Sequence, residues 1–272
     1  MSVYLAACAI YRDEAHYLPE WIEFHRLLGV ERFYLYDNFS EDDHLRALRP
    51  YVREGVVLIQ DWPLLGDQQR RAYDHCFGER RDQARWIAFI DLDEFLFSPA
   101  GRPLPELLPE YEHAPGVCVA RREFMMSGHQ TRPEGLVIEN YVRARILRPD
   151  RAVPFKSIVD PSRTTHCVNS HHFAYRDQAP PVDEKGVAMK PPWRDRAVPC
   201  ELLRVNHYFT KSAEEAKRKL ATLDARGLPR PLEMPEDFDR WVRAEPDLTY
   251  EDDVLVSYGP AVRAALERSS DH

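Results

Sequence analysis

Glycine is scarce in this sequence, and its cysteines do not form the pairs that bind zinc. There are 11 glycines among 272 residues, and the five cysteines are scattered without a Cys-x-x-Cys pair. An odd number of widely spaced cysteines indicates neither a zinc ribbon nor a disulfide framework. Reduced thiols favour a cytoplasmic protein, which is the location we expect.

Long apolar runs and a surplus of basic residues are missing as well. No apolar run approaches the ~20 residues that span a bilayer. No basic segment precedes the apolar start at residues 2–10, so we expect neither a signal peptide nor a transmembrane segment. Peripheral contact with a membrane is left open. The net charge of −8 argues against a nucleic-acid partner, because nucleic acid is bound mainly through basic surfaces.

Short apolar segments alternate with helical segments in the first part of the chain. Strands are predicted at 3–10, 32–36, 56–60 and 86–90, with helices between them at 19–28, 44–53 and 68–77. This alternation predicts an α/β fold with a mostly parallel sheet flanked by helices. His25 falls on the apolar face of the first helix, so we expect it to pack in the core rather than bind a ligand.

The chain after Ser98 is richer in proline and loses this alternation. Strands are predicted at 117–124, 136–147, 155–159 and 202–209, and the proline-rich residues 180–199 are predicted to form a flexible surface loop or lid. Ser212 and Glu215 form a capping box that starts a helix, which Gly227 ends. Short helical patches are predicted beyond it at 237–243 and 260–268.

The fourth predicted strand ends abruptly in the acidic run Asp91-Leu92-Asp93-Glu94. If strand geometry continued to the end of this run, Asp91 and Asp93 would point the same way. Two neighbouring carboxylates repel each other, and they stay ionised together most easily with a divalent cation between them. The pattern therefore predicts a metal site, and the alternative is a pair of solvated acids in a turn.

Polar residues also follow the first two predicted strands, at 11–14 and 37–42. The carboxyl ends of parallel strands lie along one edge of a sheet, so these loops and the acidic run should converge. Open α/β sheets bind ligands at that edge. The convergence favours a ligand site over a solvated turn.

A set of motifs in fixed order resembles a known family. They are Tyr11-Arg12-Asp13-Glu14 with Leu18-Pro19-Glu20-Trp21, Phe33-Tyr34-Leu35-Tyr36-Asp37-Asn38, Gln68/Gln69 with Ala72-Tyr73, Asp91-Leu92-Asp93-Glu94-Phe95, Phe155-Lys156-Ser157-Ile158-Val159, His171-His172, and Asn206-His207-Tyr208 with Lys211, Ser212, Glu215 and Lys219. Together they resemble glycosyltransferase family 92 and its bacterial relatives, which share the glycosyltransferase-2-like GT-A fold. The resemblance covers about the first 220 residues.

This resemblance implies a Rossmann-like GT-A domain at residues 1–210 and a C-terminal helical extension at 211–272. Residues 1–97 would bind the nucleotide sugar, and 98–210 would bind the acceptor. The activity implied is a metal-dependent hexosyltransferase in polysaccharide biosynthesis. It would move a sugar from a nucleotide diphosphate sugar, here a UDP-sugar with UDP-galactose as one candidate. The acceptor would be a glycan or a lipid-linked molecule, and the transfer would be inverting.

The Asp-x-Asp motif implies a divalent ion, and Mn²⁺ or Mg²⁺ suits oxygen ligands. Bridging both phosphates, the ion stabilises the charge of the leaving diphosphate. By the resemblance, Asp91, Asp93 and His207 would bind the metal, with His171 or His172 as the rival ligand. Lys211 would face the diphosphate at a helix N-terminus. The donor nucleoside would be bound by Tyr11, Arg12, Glu14, Asp37, Asn38 and Asp91.

The catalytic base has no clear motif. An inverting transfer needs a carboxylate or a histidine that removes the proton of the acceptor hydroxyl. Glu123 and His172 are candidates, with His171, Asp160, Asp183 and Glu184 as others. The catalytic set predicted is therefore Asp91, Asp93, His172 and Glu123.

Two other functions compete with transfer. A binding module could recognise a nucleotide sugar or a glycan without turnover. A phosphohydrolase of the haloacid-dehalogenase type also uses Asp-x-Asp after a strand, but that motif ordinarily follows the first strand and continues with small residues. Here it follows the fourth predicted strand and continues with Glu94 and Phe95.

Overall fold

The structure is a computed structural model, and it describes residues 2–146, 154–189, 199–221, 238 and 245–270. Four parallel strands and three helices alternate at the start of the chain. They are β1 (Val3–Tyr11), α1 (Leu18–Leu27), β2 (Arg32–Asp37), α2 (His44–Arg53), β3 (Val57–Asp61), α3 (Gln68–Arg80) and β4 (Ala84–Phe89).

The elements that follow lose this regular alternation. They are β5 (Glu94–Phe97), α4 (Leu104–Leu107), β6 (Gly116–Glu123), α5 (Val137–Asn140), β7 (Arg143–Arg145), β8 (Phe155–Val159), β9 (Thr164–Asn169), β10 (His172–Tyr175), β11 (Val182–Asp183), β12 (Arg204–His207), α6 (Ala213–Ala221), α7 (Glu245–Leu248), β13 (Thr249–Glu251) and α8 (Gly259–Ser270).

A nine-stranded sheet forms the centre, in the order β3-β2-β1-β4-β8-β6-β12-β5 with β11 beside β6. β1 pairs in parallel with both β2 and β4, and β2 pairs in parallel with β3. β8 is antiparallel to β4 and β6, whereas β12 is parallel to β6 and antiparallel to β5. The predicted α/β architecture, a mostly parallel sheet flanked by helices, is confirmed by this strand order.

One edge of the sheet, here called the carboxyl edge, collects the polar strand ends. The strands β1, β2, β3, β4, β6 and β12 end there. The antiparallel strands β5 and β8 begin there. Loops from both halves of the chain therefore meet at the same edge, which is where α/β sheets bind ligands.

Helices cover both faces of the sheet, and β1 shows why. Its side chains alternate between two hydrophobic clusters, with Leu5, Ala7 and Ala9 in one and Ala6 and Cys8 in the other. This period of two is that of a strand buried on both faces. The first cluster includes residues of α1 and α2, and the second includes residues of α3 and the β9–β10 hairpin.

The described residues of the C-terminal segment contact the rest of the chain. α8 packs against α1 and α2, and Ser269 donates a hydrogen bond to Glu23 on α1. β13 pairs with β7 in antiparallel register. The helical character predicted at 260–268 is confirmed by α8, while the domain boundary at 210 and 211 stays a prediction.

Two predicted elements are wrong. The strand predicted at 136–147 is the helix α5 followed by the short strand β7, because the carboxylate of Glu20 accepts hydrogen bonds from the first backbone N–H groups of α5 at 2.8 and 3.1 Å. The predicted flexible loop at 180–199 includes β11, in which Val182 and Asp183 are buried beside β6. Residues 190–198, and all of the helix predicted at 237–243 except position 238, lie outside the described residues.

Besides β11, four described strands were not predicted: β5, which begins inside the acidic run, the hairpin strands β9 and β10, and β13. Within the described part of the chain, no helix combines the length and apolar character that a bilayer crossing requires.

Candidate functional site

The acidic run forms a turn rather than the end of a strand. β4 ends at Phe89, and the N–H of Glu94 donates to the carbonyl oxygen of Asp91 at 3.0 Å. Trp21 on α1 fixes the turn, since its Nε1–H donates to the carbonyl oxygens of Asp91 and Glu94 at 3.1 and 2.8 Å. The prediction that Asp91 and Asp93 share one strand face is therefore wrong, and each carboxylate has its own partners.

Asp91 is held on both of its carboxylate oxygens. Oδ1 accepts hydrogen bonds from Gln69 Nε2 at 2.6 Å and from the Tyr73 hydroxyl at 3.1 Å, both on α3. Oδ2 accepts one from Lys156 Nζ at 2.8 Å. Lys156 lies on β8 and its side chain is 1% exposed. Asp91 is thus fixed from both a helix and a strand.

Glu94 joins the same buried network. Its side chain is fully buried and accepts from the Asp91 backbone N–H at 2.9 Å and from Lys156 Nζ at 3.1 Å. A second cation, Arg121 on β6, places its Nη1 3.3 Å from Glu94 Oε1. Buried carboxylates need such cations, because removal from water penalises the charged form.

The pKa of Asp91 reflects these partners. Burial raises the pKa of Asp91, but the ammonium of Lys156 opposes this through its charge and its hydrogen bond, and the net pKa lies below its ordinary value. Burial lowers the pKa of Lys156, whereas Asp91 and Glu94 raise it, and the net pKa is raised. Both groups are therefore charged at neutral pH.

Asp93 faces the other side of the turn. His207 at the end of β12 places Nε2 3.5 Å from Asp93 Oδ1, and Lys219 on α6 contacts Oδ2. The backbone of Asp93 is also fixed, because the Tyr208 N–H donates to its carbonyl oxygen at 2.8 Å. Burial raises the pKa of Asp93, but Lys219 and His207 outweigh it and hold this pKa well below its usual range.

The cation beside Asp93 differs from the cation beside Asp91. The Lys219 side chain is 27% exposed. Its ammonium also donates to the Phe209 carbonyl oxygen at 3.2 Å and lies 4.3 Å from the centre of the Phe209 ring. Lys219 is partly solvated and belongs to a helix, whereas Lys156 is enclosed in the sheet.

His25 lies beneath the turn and packs as predicted. Its Nδ1–H donates to the Trp21 carbonyl oxygen at 2.7 Å, and its Nε2 accepts from the Leu96 N–H at 3.0 Å. Burial lowers the pKa of His25 to about 3. It is therefore a neutral core histidine that positions α1 against β5.

The loops after β1 and β2 lock together at the carboxyl edge. The Asp13 N–H donates to Ser40 Oγ at 3.0 Å, and Asp13 Oδ1 accepts from the Glu41 N–H at 2.7 Å. Asp42 accepts from the Ala15 N–H at 2.7 Å. The predicted convergence of these two loops is confirmed by these reciprocal bonds.

The predicted nucleoside-binding residues lie on these loops. Tyr11 is buried, and its hydroxyl has no hydrogen-bond partner. Burial raises the pKa of this hydroxyl most, and the negative charge of Asp37 raises it further. Asp37 accepts from the Ser40 N–H at 3.1 Å and lies 3.7 Å from His44. Arg12 is exposed beside Asp13.

The side-chain amide of Asn38 already has hydrogen-bond partners within the protein. This amide donates to the carbonyl oxygens of Trp62 and Leu64 at 2.8 and 3.0 Å. The amide therefore braces the loop that follows β3, which leaves its carbonyl oxygen for other contacts.

Lys211 connects the late part of the chain to the first loop. Its ammonium lies 3.5 Å from Glu14 Oε2 and 3.5 Å from the centre of the Tyr17 ring. Its φ of 49° places the backbone in the left-handed region just before α6. The predicted capping box is confirmed, since Ser212 and Glu215 exchange hydrogen bonds at the start of this helix.

Glu123 and the paired histidines lie at the carboxyl edge. Glu123 ends β6 in register with His207, and it forms ion pairs with Arg145 at 3.1 Å and Arg121 at 3.5 Å. His171 donates from Nδ1 to the Phe155 carbonyl oxygen at 2.9 Å. His172 lies on the same turn and packs edge-on against the Phe155 ring.

Three other candidate bases lie at the opposite edge of the sheet. Asp160 follows the end of β8 and contacts Arg85 at 2.6 Å. Asp183 accepts from the N–H groups of its own turn, and Glu184 accepts from three N–H groups before β12 at 2.8 Å each. These acids stabilise loops far from Asp91 and Asp93.

The residues predicted as metal ligands come together only in part. Within the described ranges, no three His, Cys, Asp or Glu side chains form a group that could hold a metal ion. Asp93 and His207 are adjacent and offer the oxygen and nitrogen donors that a divalent ion accepts. The buried Nδ1 of His207 has no hydrogen-bond partner, so no hydrogen bond at that nitrogen fixes the orientation of the imidazole ring. This pair fits a divalent ion, and further ligands would come from the bound substrate or water.

Sequence reasoning assigned no role to Lys156, Gln69, Tyr73, Glu94 or Lys219. A signal was present for Lys156, since a lysine inside the apolar segment 155–159 is unusual unless it has a buried partner. The contact of Lys219 with Asp93 depends on how α6 packs, so local sequence contains no comparable signal for it.

The fold and these contacts define an α/β protein whose carboxyl edge carries carboxylates, an imidazole and ammonium groups. The sequence matches glycosyltransferase family 92 over residues 2–226, and the chain belongs to that family. The predicted family is thereby confirmed.

Curated relatives come from plants. A glycosyltransferase family 92 protein of Ricinus communis is 30% identical over 226 residues, which cover 79% of this chain and 37% of the relative. One from Oryza sativa subsp. japonica is 30% identical over 179 residues, which cover 64% of this chain and 30% of the relative. The chain thus spans roughly a third of the length of these relatives.

Solved structures match at low identity. Residues 1–349 of S. aureus TarS in complex with UDP align with a TM-score of 0.43 and 10% identity, covering 80% of this chain and 63% of that chain. The mannosyltransferase PcManGT from Pyrobaculum calidifontis in complex with GDP-Man and Mn²⁺ aligns at 0.32 and 13%, covering 45% and 36%. These values transfer no residue role or ligand to this chain.

Proposed function

We propose that this chain is a metal-dependent glycosyltransferase that moves a sugar from a nucleotide diphosphate sugar to an acceptor hydroxyl. One observation supports the proposal most: Asp93, just before β5, and His207, at the end of β12, are in contact at the carboxyl edge of the sheet. Family membership supports the same reaction class.

The donor nucleoside is assigned to the interlocked loops after β1 and β2. The unpartnered hydroxyl of buried Tyr11 and the carboxylate of Asp37 offer a donor and an acceptor to a base or a ribose. Arg12 and Glu14 line the same loop. Asp91 is assigned to ribose binding rather than to the metal, because its cation, Lys156, is enclosed while 30% of the Asp91 side chain remains exposed to a ligand.

The leaving diphosphate is assigned to the region of His207 and Lys211. A divalent ion, Mn²⁺ or Mg²⁺, held by Asp93 and His207 would supply positive charge to the diphosphate as its bond to the sugar breaks. Lys211 is placed to add a second positive charge once it leaves Glu14.

Glu123 is the base that the geometry supports best. It ends the strand next to His207, and its side chain is 33% exposed, so an acceptor can reach it. In an inverting transfer, Glu123 takes the proton of the acceptor hydroxyl. The hydroxyl oxygen bonds to the anomeric carbon, and the bond from that carbon to the diphosphate breaks. His172 is the second candidate for this role.

The finer assignment is a UDP-sugar donor, with UDP-galactose as the first sugar to try, and a glycan or lipid-linked acceptor. The test supplies the chain with UDP-sugars, Mn²⁺ and acceptor candidates and measures the UDP released. Acceptor-dependent UDP release that Glu123→Gln abolishes while UDP binding persists is the expected result. Tight donor binding with no release for any acceptor would favour a binding module instead.

A further inference from the structure

Asp93 already has a cation of its own. It is a buried carboxylate, and the ammonium of Lys219 contacts the oxygen that does not face His207. A divalent ion placed on Asp93 would meet the charge of Lys219 at close range, and like charges at that distance repel strongly. The ion and the ammonium therefore compete for one carboxylate.

Lys219 can leave its carboxylate more easily than Lys156 can. Lys156 holds Asp91 and Glu94 together, so its departure would leave the fully buried Glu94 and the partly exposed Asp91 without their shared cation. The Lys219 side chain is 27% exposed, and its stem is long enough to carry the ammonium into solvent or onto a nearby anion. Its departure gives up the contacts with Phe209 and leaves Asp93 in need of another cation.

A nucleotide diphosphate would provide both an anion for Lys219 and a site that brings the divalent ion to Asp93. It offers phosphate oxygens to the displaced ammonium, and it also binds the divalent ion. We propose that Lys219 is an internal counter-ion of Asp93 that is transferred to the diphosphate when the nucleotide binds, so that metal and nucleotide bind cooperatively. This inference rests on the proposed function, because it requires that Asp93 and His207 bind the metal.

Two consequences follow from linkage. The metal alone binds weakly, since it must displace Lys219 without help. The nucleotide raises the affinity for the metal, and the metal raises the affinity for the nucleotide by the same factor. Removing the ammonium should strengthen binding of the metal alone and reduce this factor.

The test uses the full chain and two probes, Mn²⁺ and UDP, in isothermal titration calorimetry. Lys219→Met removes the charge and keeps most of the apolar stem, Lys219→Gln is a second neutral variant, and Lys219→Arg keeps a cation. Thermal unfolding checks that all three variants fold. Lys219→Met should bind Mn²⁺ alone about tenfold more tightly than the parent, while Lys219→Arg should resemble the parent.

The coupling gives the second readout. The ratio of Mn²⁺ affinities with and without UDP should be about tenfold smaller in Lys219→Met than in the parent. Adding Asp93→Asn to Lys219→Met should abolish the gain in Mn²⁺ affinity, which locates the ion on Asp93.

Two results would overturn the proposal. Unchanged or weaker binding of Mn²⁺ alone to both neutral variants would exclude competition by Lys219. A gain in affinity that survives Asp93→Asn would place the ion elsewhere.

The failure of this inference is distinguishable from the failure of the proposed function. If the parent binds Mn²⁺ together with UDP but the neutral variants show no gain, the inference fails and the proposed function stands. If neither the parent nor any variant binds Mn²⁺ even with UDP, both fail.

Discussion

Asp91 and Asp93 are two residues apart and have opposite surroundings. Asp91 accepts hydrogen bonds on both oxygens from α3 and β8, and its cation, Lys156, is enclosed in the sheet. Asp93 contacts one imidazole and one partly solvated lysine. Asp91 is therefore held by more protein donors, although its side chain is 30% exposed and that of Asp93 only 9%. We propose that Asp93, whose lysine is partly exposed, exchanges that cation for a ligand.

The strongest way to break this comparison is to remove each lysine in turn. Lys156→Met leaves the fully buried Glu94 and the partly exposed Asp91 without their shared cation, and breaking such a network costs about 3–5 kcal/mol. Lys219→Met should cost less, about 1–3 kcal/mol, because it leaves a single buried carboxylate, Asp93, which keeps its contact with His207. Urea denaturation of both variants measures the two free energies of unfolding. Equal losses would show that the two carboxylates are not held differently.

Removing the charge of Asp93 should abolish transfer without affecting the fold. Asp93→Asn keeps the size of the side chain but loses the charge that would hold the ion, so we expect acceptor-dependent UDP release to fall about a hundred- to thousandfold. The control is thermal unfolding, which should stay cooperative with a midpoint lowered only by the loss of the Asp93 ion pairs. Release at the parental rate would remove Asp93 from the site.

The pH dependence of stability sharpens the description of the Asp91 side. Burial, followed by Lys156 and Arg121, lowers the pKa of His171 to about 3. The unfolded chain takes up this proton below about pH 6.5, and the folded chain does not until about pH 3, so stability falls as the pH drops through this window. His171 should contribute a loss of up to about 2 kcal/mol between pH 7 and pH 5.

The matched variant for this prediction is His171→Gln. Its free energy of unfolding should fall less steeply than that of the parent between pH 7 and pH 5. The difference in slope should correspond to close to one fewer proton taken up on unfolding. Identical slopes would mean that His171 is not buried beside cations, and the rigid electrostatic surroundings of Asp91 would be in doubt.

The smallest expected effect concerns a single hydrogen bond to Asp91. Tyr73→Phe removes the hydroxyl that donates to Oδ1 and that accepts from Gln69 Nε2 at 3.0 Å, while the direct bonds of Gln69 and Lys156 to Asp91 remain. The free energy of unfolding should decrease by about 1 kcal/mol. A thermal or urea melt measures it, and a loss above about 3 kcal/mol would mean that Asp91 depends on this donor far more than a redundant network allows.

The sheet and the location of the site were predictable because they depend on local patterns. Strands β1 to β4 have short apolar runs, the helices between them have apolar faces, and polar residues follow the strand ends. The alternation of Leu5, Ala6, Ala7 and Cys8 between two cores shows how the pattern fixes a strand buried on both faces.

The arrangement within the site was not predictable, because distant residues decide it. The turn at Asp91 is fixed by Trp21, and the start of α5 is fixed by Glu20, more than a hundred residues away in sequence. The pairing of Asp93 with Lys219 likewise depends on the packing of α6. Local propensity contains no record of such contacts, so the prediction that Asp91 and Asp93 share a face failed.

The most direct test of the proposed function is the thermal stability of the parent and of Asp93→Asn with UDP, in the presence and absence of Mn²⁺. A ligand at one hundred times its dissociation constant stabilises a protein by about 2.7 kcal/mol, which a thermal shift resolves. We predict that UDP stabilises the parent much more with Mn²⁺ than without it and that Asp93→Asn loses this difference. An equal dependence on Mn²⁺ in both proteins would contradict the assignment of the metal to Asp93.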